Sequence, residues 1–182
     1  VVSLFIKKYM RVNEVVQNNI PLELLTQEFE SWLDIGTGNG LVAQEWKYFN
    51  NINKKSAIDT GQNPELFGND LFSHLDDGWE KCQESYDENS KLWNERFDLI
   101  TCMDTIQYYY KPHGEKILQN LIDKTNKLLI IWTTNGYYPD NEHKSAWHEE
   151  DFQKVGMKTY IIKNFHAGPP IVGDGLITWY EK

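Results

Sequence analysis

Three glycines in five positions, Gly36, Gly38 and Gly40, lie in the stretch SWLDIGTGNGLVAQEW, with Asp34 just before them and Asp59 further on. Glycine in such a turn permits a positive φ and lets a ligand approach the backbone without meeting a Cβ. The spacing is Gly-x-Gly-x-Gly. It lacks the last interval of Gly-x-Gly-x-x-Gly, the pattern that sets a pyrophosphate on a helix N-terminus. The turn therefore suits a ligand whose bulk lies against it but which carries no pyrophosphate, and a nicotinamide-dependent reductase fits poorly. Asp59 closes a short apolar segment, Ser56-Ala57-Ile58-Asp59. An acid at that place accepts hydrogen bonds from the two hydroxyls of a ribose. Asp34 sits inside an apolar run, where a carboxylate can hold a loop amide or face a cationic ligand group.

Alternating strands and helices must position these residues. Apolar residues at helical spacing predict a helix over about 4–18, and Pro21 can open a second over about 21–29. Trp32–Ile35 reads as a buried strand, and Leu41, Val42, Trp46 and Phe49 mark one face of a helix over about 40–49. A second strand covers Ser56–Asp59, and Asn63-Pro64 reads as an N-cap followed by proline at the first helical position. The acidic stretch 70–95 shows at most a strand near Lys81–Ser85. Phe97–Met103 and Lys127–Thr133 are clear strands, with a helix over 113–125 between them. A helix over about 146–155 precedes two last strands, about 157–163 and 175–181, joined by the turn-forming run HAGPPIVGDG. Continuous apolar strands alternating with helices predict an α/β, doubly wound, Rossmann-like sheet of seven strands with a C-terminal antiparallel β-pair. No linker divides the chain, so residues 1–182 read as a single domain, 1–30 being a helical segment before the first strand.

Bulk properties exclude several classes. The 182 residues carry a formal net charge of −9, which repels phosphate backbones and counts against nucleic acid as a partner. No apolar run reaches the roughly 20 residues of a membrane span. The two cysteines, Cys82 and Cys102, make neither a disulfide framework nor a zinc cluster and suit the reducing cytoplasm. Aromatic residues make up 14%. Tyr108, Tyr109, Tyr110, Tyr137, Tyr138 and Trp147 fall in or near expected loops at the carboxyl edge of the sheet, where a substrate would lie.

The order of these segments resembles the class I S-adenosylmethionine-dependent methyltransferases, over roughly residues 28–182. LDIGTGNG resembles their first motif, AIDTG their second-strand acid, FDLITCMDTIQYY their fourth strand and following loop, and KLLIIWTTNG their fifth strand. The end of the chain, SAWHEEDFQKVGMKTY with GLITWYEK, resembles the last helix and terminal β-pair of members acting on small molecules. The resemblance implies S-adenosylmethionine as cofactor and a small molecule as methyl acceptor. It implies cofactor contacts from Asp34, Gly36, Thr37, Gly38, Gly40, Asp59, Thr60, Met103 and Asp104. Within that set Asp34 would lie near the amino group, Asp59 at the ribose, and Met103 and Asp104 beside the methyl donor. Tyr108, Tyr109, Tyr137, Tyr138 and Trp147 are the substrate-side candidates.

The chain departs from that pattern in places. The acid expected after the third strand, at the adenine amine, is either Glu84 or Asp87. The loop after the fourth strand has no Asn-Pro-Pro-Tyr or Pro-Cys motif, which argues against methylation of DNA bases. Gln107-Tyr108 stands where many small-molecule members carry Glu-His. Asp104, Tyr108 and His143 remain as candidates for catalysis, and no metal site is expected, since Asp104 and Asn135 lack a third oxygen ligand. The alternatives are a cofactor-binding protein without turnover and a methyltransferase of protein or RNA.

Overall fold

The computed structural model describes residues 12–49, 51–62, 70–86, 91–138, 142–165 and 173–182. Seven strands form one sheet: β1 (Ser31–Ile35), β2 (Lys54–Asp59), β3 (Trp79–Gln83), β4 (Phe97–Met103), β5 (Thr125–Asn135), β6 (Lys158–Ile162) and β7 (Asp174–Glu181). Their order across the sheet is β3-β2-β1-β4-β5-β7-β6. Pairings from β3 through to β5 are parallel, and β7 runs antiparallel to both β5 and β6. The helices are α1 (residues 12–19), α2 (Leu22–Leu25), α3 (Leu41–Gln44), α4 (Lys111–Lys124) and α5 (Glu149–Gln153).

The period-two alternation of the strands builds two cores. Trp32, Leu99, Ile130 and Trp132 point to one face, where Val12 and Val16 of α1 and Trp46 pack on them. Leu33, Ile35, Ile100 and Ile131 point to the other, against Ile117, Leu118 and Leu121 of α4. Every residue of β4 is buried, which explains its legibility as a continuous apolar run. Strand β3 is an edge strand with a half-exposed pattern and pairs Ala57 with Lys81. Its polar alternation hid it, and it begins two residues before the expected place.

Three helices are shorter than their patterns suggested. The one expected over 21–29 is the single turn α2. In place of a helix over 40–49, α3 gives way to a 3-10 turn at Lys47–Phe49. Gly40, with φ +85°, supplies no side-chain cap to α3. The rings of Trp46 and Phe49 stack at 5.0 Å, and Phe49 meets Trp32 edge-on, so burial of these rings decides the path rather than helical continuity. The helix expected over 146–155 is confined to α5, started by the Asp151 carboxylate accepting from the His148 amide at 2.9 Å. The expected N-cap at Asn63 lies outside the described residues.

The β5–β7 pair depends on a close approach. A Cβ added to Gly175 would stand 2.0 Å from Cη2 of Trp132, which is fully buried between strands and Phe165. Gly175→Ala is expected to lower the unfolding free energy by about 1–3 kcal/mol through overpacking. A urea titration checks this, and an unchanged midpoint would mean that the indole gives way freely.

Candidate functional site

The carboxyl ends of β1, β2 and β4 come level at one edge, because Ile35 pairs with Ile58 on one side and Cys102 on the other. Strand order reverses there, between β1 and β4, which is where ligands bind in such sheets. The turn after β1 is fixed by Gly36 and Thr37 amides donating to the Ile58 carbonyl at 2.9 and 3.3 Å. Gly36, Gly38 and Gly40 all have positive φ, +70°, +56° and +85°. Protein neighbours demand two of them as well. A Cβ on Gly36 would stand 2.0 Å from Oγ1 of Thr105, and one on Gly40 would stand 2.3 Å from Cγ of Leu75. Leu75 belongs to a segment that crosses the turn, donating from the Phe72 amide to the Gly38 carbonyl and from the His74 amide to the Asn39 carbonyl.

Asp59 ties this turn to the next. One carboxylate oxygen accepts the Gly38 amide and the other accepts the Gly61 amide, each at 2.8 Å. Asp34 lies deeper, only 2% exposed. Its Oδ1 accepts the Thr101 hydroxyl at 2.5 Å, and that hydroxyl oxygen accepts the Trp32 indole N–H at 2.8 Å. Burial pushes its pKa up to about 6, against the opposing pull of Thr101. Asp34 is thus held by a side-chain hydroxyl rather than by loop amides.

A cavity of about 550 Å3 opens at this edge. Gly36, Asp59, Thr60 and Gln62 line it from the first two turns, and Ser85 and Tyr86 from the end of β3. Asp104, Thr105 and Tyr108–Tyr110 line it after β4, with His113 from the first turn of α4, and Glu142 and Lys144 from the return toward α5. Burial raises the pKa of both Tyr86 and Tyr109, so both hydroxyls stay protonated.

The other sequence candidates lie around the cavity rather than on its wall. Asp34 is buried before the turn, Thr37, Gly38 and Gly40 are buried within it, and Met103 belongs to the first core. Trp147 is fully buried, packs on Phe152 and crowds Gly114, so it fills the core. Tyr137 is 77% exposed and outside the cavity wall. Tyr138 and Tyr108 flank the His143 ring, at 4.9 and 5.1 Å, and the imidazole does not line the cavity. Glu84 accepts the Lys91 amide at 3.0 Å, and Asp87 lies outside the described residues. Gln62, Ser85, Tyr86, Thr105, His113, Glu142 and Lys144 escaped the sequence reading. For His113 a signal was present: it stands three residues after Tyr110, one helical turn along.

Asp104 carries a positive φ of +50°, uncommon for a residue with a side chain. Its amide donates to the Trp132 carbonyl at 3.0 Å, and its Oδ1 accepts from the Gln107 side chain at 3.2 Å. Gln107 is fully buried and accepts from the Thr133 hydroxyl at 3.0 Å. It braces Asp104 and does not enter the cavity, so no base stands at that position.

No protein-family model matches the chain, and no curated protein matches it. Solved structures do. A candidate methyltransferase from Bacillus halodurans C-125 aligns with a TM-score of 0.62 at 15% identity, over 88% of this chain and 97% of that one. The magnesium protoporphyrin IX methyltransferase of Synechocystis PCC 6803, solved with bound SAH, aligns with a TM-score of 0.59 at 12% identity, over 95% of this chain and 83% of that one. The small RNA methyltransferase HEN1 aligns with a TM-score of 0.65 at 14% identity, over 95% of this chain and 25% of that one. This is the class I methyltransferase fold. Its neighbours include proteins named for a porphyrin and for RNA, so the fold leaves the acceptor open.

The buried carboxylate of this methyltransferase fold leads to a pH test. The folded pKa of Asp34, about 6, lies above its ordinary value of 3.8. The folded state therefore holds a proton that the unfolded chain releases, and stability falls as pH rises between those two values. The difference in unfolding free energy between wild type and Asp34→Asn is expected to drop by up to about 3 kcal/mol from pH 4 to 7. Denaturant titrations across that range check it, and a flat difference would show that Asp34 ionises normally.

Proposed function

We propose that the chain transfers a methyl group from S-adenosylmethionine to a small-molecule acceptor. The observation that carries this reading is the placement of Asp59 beside Gly36 on the wall of a cavity at the switch point of a methyltransferase fold. The residues present fit the cofactor. The cavity has the volume of a small-molecule site. Asp59 keeps a further lone pair on each oxygen after accepting from Gly38 and Gly61, enough for two ribose hydroxyls. Ser85 and Tyr86 line the same cavity beyond β3 and would flank the adenine in this reading.

When bound, the cofactor supplies a methyl group on a sulfonium, already activated for attack. The chain then has to orient an acceptor and exclude water. Tyr108 and Tyr109 form a half-buried aromatic wall suited to both tasks, and aromatic faces attract a sulfonium. Asp104 lines the same cavity and would stand beside the reacting atoms in this reading. His113, Asp104 and Glu142 line the same cavity and are the candidates to take a proton from an acceptor that starts protonated. The formal charge of −9 disfavours a nucleic-acid acceptor. Among the described residues no helix is long and apolar enough to cross a membrane, and both thiols are free, which suits work in the reducing cytoplasm.

Calorimetry with S-adenosylmethionine and S-adenosylhomocysteine tests the reading. Both are expected to bind, and Asp59→Ala to weaken each by about 10- to 100-fold, the worth of hydrogen bonds to a charged group. Absence of heat with either compound at millimolar concentration would overturn it.

A further inference from the structure

The segment that closes the cavity on the acceptor side is held rigidly at three points. The Lys144 and Ser145 amides donate to the Gln107 carbonyl at 2.9 and 3.2 Å. The Gly136 amide donates to the Trp147 carbonyl at 2.6 Å, and a β-bridge joins these two residues. Between them the Lys111 ammonium bonds the Ala146 carbonyl at 2.9 Å and the Asp151 carboxylate at 2.6 Å, and sits 3.6 Å from the Trp147 ring centroid. Glu142 and Lys144 line the cavity, and the His143 ring between them packs against Tyr108 and Tyr138.

Lys144 stands out among the charged groups on that wall. Eight other lysines of the described residues form ion pairs. Lys144 forms none among them. Its Nζ instead lies 5.7 Å from the centroid of the Tyr110 ring, at the cavity mouth. Asp59 and Asp104, by contrast, already accept hydrogen bonds from Gly38, Gly61 and Gln107. A fixed backbone thus presents an ammonium without an ion-pair contact among the described residues beside a row of tyrosines. Such a pairing recognises a flat ring carrying an anion: the ring lies on the aromatic wall and the anion meets the ammonium.

We propose that Lys144 determines acceptor specificity by binding a carboxylate, and that the acceptor is a planar aromatic molecule bearing one. This rests on the methyl-transfer reading and names the substrate class for its acceptor side. Glu142 makes an aromatic amine the competing occupant.

The test uses the full chain saturated with S-adenosylhomocysteine and three probes of one shape: 4-hydroxyphenylacetate, its amide, and tyramine. Ligand-observed NMR titration gives the three affinities for wild type and for Lys144→Gln, an exposed position where folding is not at risk. The carboxylate is expected to bind at least about tenfold more tightly than the amide, a gap of about 1.4 kcal/mol. Lys144→Gln should close that gap while leaving affinity for the amide and for S-adenosylhomocysteine unchanged. The proposal is overturned if no probe binds, if tyramine binds most tightly, or if the gap is absent or survives in the variant. Binding of S-adenosylhomocysteine, measured on the same preparation, reports separately on methyl transfer. Its absence sinks both readings, whereas its presence without a Lys144-dependent gap sinks this one alone.

Discussion

The carboxylate of Asp59 is the constraint on which the site depends. It joins two turns that are far apart in sequence, through one amide of each, Gly38 and Gly61. Without such an anchor, the turn after β1 would leave backbone donors unpaired at a nearly buried place, a costly condition. Three excursions to positive φ within five residues need glycine, and a turn so rich in glycine loses much conformational freedom on folding. Charge-assisted hydrogen bonds to Asp59 offset part of that loss and set the turn against the end of β2. The same carboxylate then faces the cavity. One group therefore shapes the floor of the site and remains able to hold a ligand.

A second brace works on the far side of the switch point. Gln107 uses its side-chain N–H toward Asp104, its side-chain oxygen toward Thr133, and its carbonyl toward Lys144 and Ser145. A fully buried amide so engaged is a satisfied network, which rigidifies rather than strains a core. It holds three pieces in mutual register: the end of β4, the end of β5, and the segment returning to α5. The cavity thus has two walls built on different principles. The wall at the ends of β1 and β2 is backbone pinned by a carboxylate, and the wall after β4 is side chains positioned by an amide.

The charged groups divide in a similar way. Asp34 and Asp59 lie close together beneath the turn, and the charge of Asp59 adds to the burial that raises the Asp34 pKa. Asp34 rests on Thr101, which rests on Trp32, so a polar chain crosses the otherwise apolar first core. Such a chain is tolerated because its members partner one another. Lysine ion pairs, in contrast, are mostly exposed and contribute little each to stability. Lys55 and Lys111 are less exposed, each lying by an indole and a carboxylate, and Lys111 fixes a segment rather than decorating a surface.

Sequence by itself determined the parts whose signal is local. Strands β1, β2, β4 and β5 are buried on both faces and announce themselves as apolar runs. The glycines announce a turn that no other residue type could make so often. Order along the chain then fixes the doubly wound sheet, and with it the placing of Gly36, Asp59, Thr60, Asp104, Tyr108 and Tyr109 at one edge. Tertiary structure decided whatever depends on the direction of a side chain or the company it keeps. Trp147 and Lys144 stand three residues apart in the same polar stretch, yet one fills the core and the other faces the cavity. His143 and Lys144 are neighbours, yet the imidazole packs against Tyr108 and Tyr138 while Lys144 lines the cavity. Edge strand β3 and the truncated α3 were hidden for a related reason: pairing with β2 and the stacking of Trp46 on Phe49 override weak local preference. Residue type sets what a group can do, but packing across the sheet sets what it meets.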